Sequence, residues 1–439
     1  MKRPIKNRIE NLYAYVGNEE DARVCKDISE DACRYVPANF FLIIISNTFT
    51  KLGDALSNPK TVLAWLMGYV NAPLALISFL VPIRESGSMI PQIFIASYVR
   101  KLKVRKWIWI IGSLIQFTAI AGIGIVTLTF HGTTAGGLII LLLILFSLAR
   151  GLSSVASKDV LGKTIPKTRR GRLNGYSTSI SGALALIAGL YMINKSEQEL
   201  GIEFYAYLIF FASLLWIAGA MVYANVREYP GVTTGGGNAF REALARLDLL
   251  KSDKPFRNFV ISRSLLLCSA LTAPFYVILA QDFLGRDIHI LGLFIVANGI
   301  ASSISAVVWG KLADRSSRNV MVKGAMITSL LGMAMFIVVS WIPAMSSTQW
   351  LYPAAFFILG VAHSGVRLGR KTYIVDMAGG DKRTDYVAVS NTIIGLVLLI
   401  TGGISALASA ISPEGIILIL SLFGIAGAFT SSRLPEVET

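Results

Sequence analysis

Hydrophobic residues in this chain gather into long unbroken runs instead of alternating with polar ones. Such runs cover residues 40–56, 69–99, 107–130, 138–155, 173–193 and 204–226 and, after a polar interval, 259–280, 291–309, 320–342, 350–375, 387–411 and 416–429. Most are close to the roughly 20 residues that carry an α-helix across about 30 Å of hydrocarbon. Strands of a membrane barrel would alternate, whereas a helix satisfies its own backbone in lipid. The pattern predicts an all-α membrane protein with twelve transmembrane helices in two six-helix bundles. It divides the chain into an N-terminal arm (1–36), a first bundle (37–226), a linker (227–257), a second bundle (258–434) and a short tail (435–439). Within the linker, Phe240, Leu244, Leu247 and Leu250 are spaced for a short amphipathic helix lying on the membrane.

Composition agrees: 54% of residues are hydrophobic and 15% charged, more apolar side chain than one water-soluble core could bury. The net charge of +15 raises the possibility of a nucleic-acid partner. Its distribution removes it. Of the Lys and Arg residues, 33 fall in segments on one side of the predicted membrane, and only Lys60, Lys195 and Arg286 fall on the other. By the positive-inside rule both termini are cytoplasmic, in a multi-pass cytoplasmic (inner) membrane. The basic residues are spread over seven segments, so no nucleic-acid face forms. No apolar signal region precedes residue 40. Cys25, Cys33 and Cys268 lack metal-ligand spacing, and the two in the arm are expected to stay reduced in the cytoplasm. No metal cluster, phosphate-binding glycine loop or nucleophile–base pair is present to suggest a metal, a cofactor or an enzyme.

The halves resemble each other at one fixed offset. A shift of 213 residues carries Lys158 to Lys371, Arg170 to Arg383, Ser177 to Ser390, Gly182 to Gly395 and Gly189 to Gly402. Internal repeats of this kind mark many secondary transporters, although similar apolar helices also match by chance.

The same offset aligns the loop 97–107 with "GKLADRSSRNV" at 310–320. This second loop resembles the signature of the major facilitator superfamily. Gly310, Asp314, Arg315 and Arg318 fall on the motif, and the resemblance implies that the Gly permits close helix approach while the charged residues gate the cytoplasmic side. In the first copy Ser97 and Lys101 replace the Gly and the Asp, while Arg105 and Lys106 remain. The family's Gly-Pro antiporter pair is absent from "SISGALALIAGLYM", which counts against drug–proton exchange. Arg150 in "FSLARGLSSVAS" stands where the family places an Arg linked to proton movement.

Charges inside predicted spans are the main candidates for chemistry. "VPIRESGSMIPQ" (81–92) holds Arg84 beside Glu85 in the second span. Asn47, Lys51, Asp54 and Asn58 form one helical stripe on the first span, and Arg84, Ser88 and Gln92 another on the second. Asp54 and Arg84 come out about 26 Å and 22 Å above the cytoplasmic ends of their helices, a shared level. An ion exposed to lipid would cost about 2.5–3.5 kcal/mol, so both stripes are expected to face an aqueous cavity. Pro82, Gly87 and Pro91 suggest a helix broken beside the pair. A second reading is a salt bridge that only closes the outer mouth. Lower down come Arg150, Arg263 and Arg367, though Arg263 is close enough to its helix start to snorkel. Five intramembrane cations against two anions favour an anionic solute.

The expected substrate-binding set is therefore Asn47, Lys51, Arg84, Gln92, Arg150, Arg263 and Arg367. Asp54, Glu85 and His363 are candidates for proton coupling, His363 being equally readable as a packing residue. The function that follows is secondary active symport of a small organic anion by alternating access, with a proton or sodium as coupling ion. A monomer among membrane lipids is expected. The alternatives are an exporter of drugs or amphiphiles and a non-conducting scaffold or receptor on the same fold.

Overall fold

The computed structural model describes residues 13, 30–91, 95, 98–99, 101–194, 201–231, 233, 247–313, 315–377, 382–408 and 412–437. Gln92, Asp314 and most of the anticipated linker helix lie outside these residues. Among the described residues every regular element is helical. Besides three single-turn helices (Glu30–Cys33, Leu249–Ser252 and Pro343–Ser346), they are in chain order α1 (Val36–Leu56), α2 (Val62–Tyr69), α3 (Leu74–Ile77), α4 (Leu80–Met89), α5 (Lys106–Thr129), α6 (Gly132–Thr164), α7 (Lys167–Ile193) and α8 (Ile202–Ala224). The second half contains α9 (Lys254–Leu265), α10 (Cys268–Leu271), α11 (Ala273–Leu284), α12 (Ile288–Ala313), α13 (Ser317–Trp341), α14 (Leu351–Met377), α15 (Lys382–Ala408) and α16 (Pro413–Ser432). Ten stretches of the described chain are long and apolar enough to cross a membrane. The remaining two spans, the first and second, are assembled from α1–α2 and from α3–α4 with the residues beyond. Large apolar side chains face outward, Leu407 at 81% exposure and Ile187 at 62%, as lipid requires and water would not tolerate.

The first, second and seventh spans are broken, and proline explains the breaks at 57–61 and at 272. Pro59 cannot donate to the preceding turn and pushes Asn58 out of the helical region, so α1 stops and the chain restarts at α2. Pro73 follows Asn71, whose φ is +58°, and opens α3. Pro274 sits in the first turn of α11. The first span therefore continues through α2, where sequence alone had ended it at residue 56. Residues 69–71 lie at the membrane face opposite to the start of α1, since the Val70 carbonyl accepts from the Gly132 amide at 2.7 Å in the turn between the third and fourth spans. The face where α1 starts and α16 ends is called basal below, and the other distal. The chain turns between the first and second spans at residues 70–73, and the second span breaks at 78–79, not beside Arg84 and Glu85. Pro82 falls in the first turn of α4, where a missing N–H is harmless.

Packing repeats between the halves. In each bundle the third helix packs on the fourth and sixth, the first on the fifth and sixth, and the second on the fourth. The halves meet where α2 packs on α11, α4 on α15 and α7 on α12. On the distal side this interface is tight. A Cβ at Gly292 would stand 2.7 Å from the Gly189 carbonyl oxygen, and one at Gly402 would stand 2.7 Å from the Pro82 ring. The helices approach this closely only because both residues lack side chains. One buried cluster, including Trp65, Trp216, Phe275 and Phe294, runs through both halves. Cys268 is a buried thiol, whereas Cys33 is disulfide-bonded, unlike the reduced state expected for the arm.

Candidate functional site

Two charged clusters face the middle of the molecule, one in each half. In the first, Asp54 accepts a hydrogen bond from Arg84 Nη2 at 3.0 Å and pairs with Arg150 through its other oxygen. Arg84 lies over the Phe146 ring, 4.8 Å from its centroid. Lys51 turns away from Asp54 toward the fifth span, donating to Ser177 Oγ at 2.8 Å and Thr178 Oγ1 at 2.7 Å. Asn47 is half-buried on the same helix. Asn58 does not extend the stripe into a cavity; its Oδ1 accepts the Lys60 amide at 2.8 Å and caps the break.

Arg84 and Glu85 are half-buried within α4, in the second span where the sequence places them. Other expectations change. The two are not partners, because successive helical residues point about 100° apart; Arg84 turns to Asp54 while Glu85 looks toward the other half. Arg150 is level with Asp54 instead of lying below it. Arg263 is 7% exposed and does not snorkel; it donates to Ser390 Oγ at 2.6 Å and to Asn391 Oδ1 at 2.9 Å. Among the described residues nothing stands within 4 Å of a Cβ built at Gly310, so none of them makes the close approach implied by the motif. Arg315 is exposed, and Arg318 donates to the Leu434 carbonyl at 2.8 Å and pairs with Glu436.

The second cluster contains residues that sequence reasoning had assigned elsewhere. Lys60, expected outside the membrane, lies in the break of the first span and donates from Nζ to His363 Nε2 at 3.2 Å, joining the two halves. An ammonium has no acceptor, so His363 carries its hydrogen on Nδ1 and donates to Ser269 Oγ at 3.1 Å, while that hydroxyl donates to the Leu266 carbonyl. Arg370, absent from the candidate set drawn from sequence, shares a face of α14 with His363 and Arg367 at steps of i, i+4 and i+7. Glu85 is within electrostatic reach of Lys60, Arg367 and Arg370. The Asn58-Pro59 pair was the available signal for the break that brings Lys60 inside.

The repeat is visible in these contacts. Lys51 on the first span bonds Ser177, and Arg263 on the seventh bonds Ser390, its counterpart at the 213-residue offset. Near the basal face, Glu228 accepts the amides of Arg105 and Lys106 at the start of the third span, as Glu436 takes Arg318 at the start of the ninth. Arg105 also pairs with Asp159.

The distal side is sealed between the halves. Gln281 donates to the Trp65 carbonyl at 2.9 Å, and Arg286 donates to the Tyr69 carbonyl and to Asn71 Oδ1 at 3.1 and 2.7 Å. Toward the basal face, Asn174, Thr178, Ser302 and Ser303 are exposed on the fifth and eighth spans. Paired broken helices, cavity-facing ions and a seal on one side make a site that can hold a solute and expose it to one face at a time.

The family model for the Major Facilitator Superfamily matches residues 43–400 and 264–437. The chain belongs to this superfamily. It is a multi-pass membrane protein. The chain is also similar to the uncharacterised proteins Rv2209 of Mycobacterium tuberculosis and Mb2232 of Mycobacterium bovis. Each match is 25% identical over 334 residues, covering 72% of this chain and 59% of the relative. The match thus spans less than two thirds of those relatives. Among solved structures it resembles a D-xylose-proton symporter (TM-score 0.69, 15% identity, 92% of this chain and 99% of that one). It also resembles the inward-open xylose transporter XylE of E. coli (0.66, 12%, 92% and 97%) and the nucleoside transporter NupG (0.65, 11%, 90% and 98%). Identities this low establish the shared twelve-helix, two-bundle fold.

Proposed function

We propose that this superfamily member is a secondary active transporter that moves a small organic anion across the cytoplasmic membrane by alternating access, both termini being cytoplasmic. One observation carries the choice of an anion: among the described residues Arg263, Arg367 and Arg370 have no carboxylate in contact, and the Nε of Arg263 and of Arg370 is buried without an acceptor. Buried guanidinium N–H groups need acceptors, and an anionic solute supplies them bidentately. An exporter of cationic drugs would need an acidic cavity, and this one has the opposite balance. A sealed scaffold is disfavoured by the polar side chains exposed toward the basal face.

For coupling, Glu85 is the preferred proton carrier and His363 the second, because both face the opposite half and change surroundings as the halves part; Asp54 is already engaged within its own half. The concentration of Lys and Arg at the basal face supports its assignment as cytoplasmic. The test is a thermal-unfolding screen of the purified chain against succinate, xylose and tetraphenylphosphonium at constant ionic strength, at two pH values. Succinate is expected to stabilise, by mass action on the folded state; stabilisation by xylose or by the cation alone would overturn the anion assignment.

A further inference from the structure

Between the eighth and tenth spans, Ser302, Ser305, Ser364, Arg367, Leu368 and Lys371 line a cavity of about 190 Å³. Two of the three serines sit on α12 at i and i+3, the third on α14. Ser302 and Ser305 donate back to carbonyls of their own helix, Asn298 and Ala301, and each hydroxyl can rotate to donate outward instead. Around this lining, Lys371 is in electrostatic reach of Arg263, Arg367, Arg370 and Glu85. With Lys60, whose reach includes Glu85, Arg367 and Arg370, this neighbourhood holds five cations to one carboxylate. A monocarboxylate would offset little of that excess and would offer only two oxygens to three hydroxyls and two cations.

We propose that this cavity receives the phosphate group of a phosphate monoester. A tetrahedral dianion presents three terminal oxygens, enough to accept from Arg367 in its bidentate fork, from the Lys371 ammonium and from the serine hydroxyls at once. The inference rests on the anion assignment above and narrows it: Arg367 and Lys371 hold the headgroup, the serines select a tetrahedral oxyanion over a planar carboxylate, and the remainder of the substrate extends toward Lys60 and Glu85. A lipid phosphate could supply the same chemistry, and the probes must separate the two sources.

The experiment measures thermal unfolding of the purified full chain in a neutral detergent, at constant ionic strength, while titrating glycerol 3-phosphate, inorganic phosphate, succinate or acetate. Parallel samples contain micelles doped with phosphatidic acid. Glycerol 3-phosphate is expected to stabilise saturably, with half-saturation at least tenfold below that of succinate. Arg367→Gln should abolish the difference and Ser364→Ala reduce it, while Ser432→Ala, exposed at the basal end of α16 and outside the cavity lining, should leave it unchanged. Equal half-saturation for succinate and the ester would overturn this inference and leave the anion assignment standing. Stabilisation by phosphatidic acid with none by glycerol 3-phosphate would overturn the soluble-ester reading. Absence of any anion effect beside a clear effect of xylose would overturn the anion assignment itself.

Discussion

The two charged clusters occupy corresponding halves of one repeated fold and differ in how their charge is balanced. In the N-terminal half, Asp54 is gripped by two arginines and Lys51 is absorbed by hydroxyls. In the C-terminal half, the offset that carries Ser177 to Ser390 carries Asp54 to Leu267 and Arg150 to His363. Among the described residues the cluster's one acid, Glu85, comes from the other half and contacts none of its cations, and Arg263 is held by neutral oxygens. A self-contained ion cluster is a structural element, whereas a cationic one without its counter-ion is incomplete until something anionic arrives. The asymmetry, more than the shared fold, points to where a solute's acidic group belongs.

The sharpest way to break this comparison is to neutralise one member of each cluster. Asp54→Asn leaves two guanidiniums facing each other. Breaking a buried pair costs about 3–5 kcal/mol, and solvent access reduces that here to roughly 1–3 kcal/mol of folding stability. Arg370→Gln is expected to leave the empty protein as stable as before, or to raise its stability by up to about 1 kcal/mol, while weakening succinate binding by about ten- to a hundredfold. Unfolding curves with and without succinate read both effects; the same stability loss in both variants would erase the distinction between the halves.

A smaller effect tests the contact surface between the halves. Gly189→Leu pushes a side chain into α12 at its tightest approach and should cost about 1–3 kcal/mol. It should also raise the labelling rate of a cysteine placed at Ser269, by loosening the distal seal. Unchanged labelling would mean that the glycine contact does not hold that side shut.

The smallest effect compares the two basal clamps. Glu228 has a fully buried side chain that serves two backbone amides and Lys163, so Glu228→Gln should lose about 1–2 kcal/mol. Glu436 is 44% exposed, and Glu436→Gln should cost less than about 0.5 kcal/mol. Equal losses would show that burial does not distinguish the clamps.

Much of this architecture was legible along the chain. Twelve apolar runs, the one-sided placement of Lys and Arg and the 213-residue repeat follow from the free energy of placing side chains in lipid, which depends on residue type and local order alone. The shared level of Asp54 and Arg84 was legible too, since helical rise converts sequence distance into depth. Pairing was not. Which way Arg84 and Glu85 point depends on the rotation of α4 against α1, α6 and α15, and the place of Lys60 depends on a break that returns the chain toward α14. Arg370 stayed out of the candidate set because charge alone does not show whether a cation ends in water or faces a cavity. Sequence determined the number and symmetry of the helices; only the packing of one bundle against the other decided which charges are satisfied and which are left for a solute, because electrostatic pairing acts over a few ångströms between residues far apart in the chain.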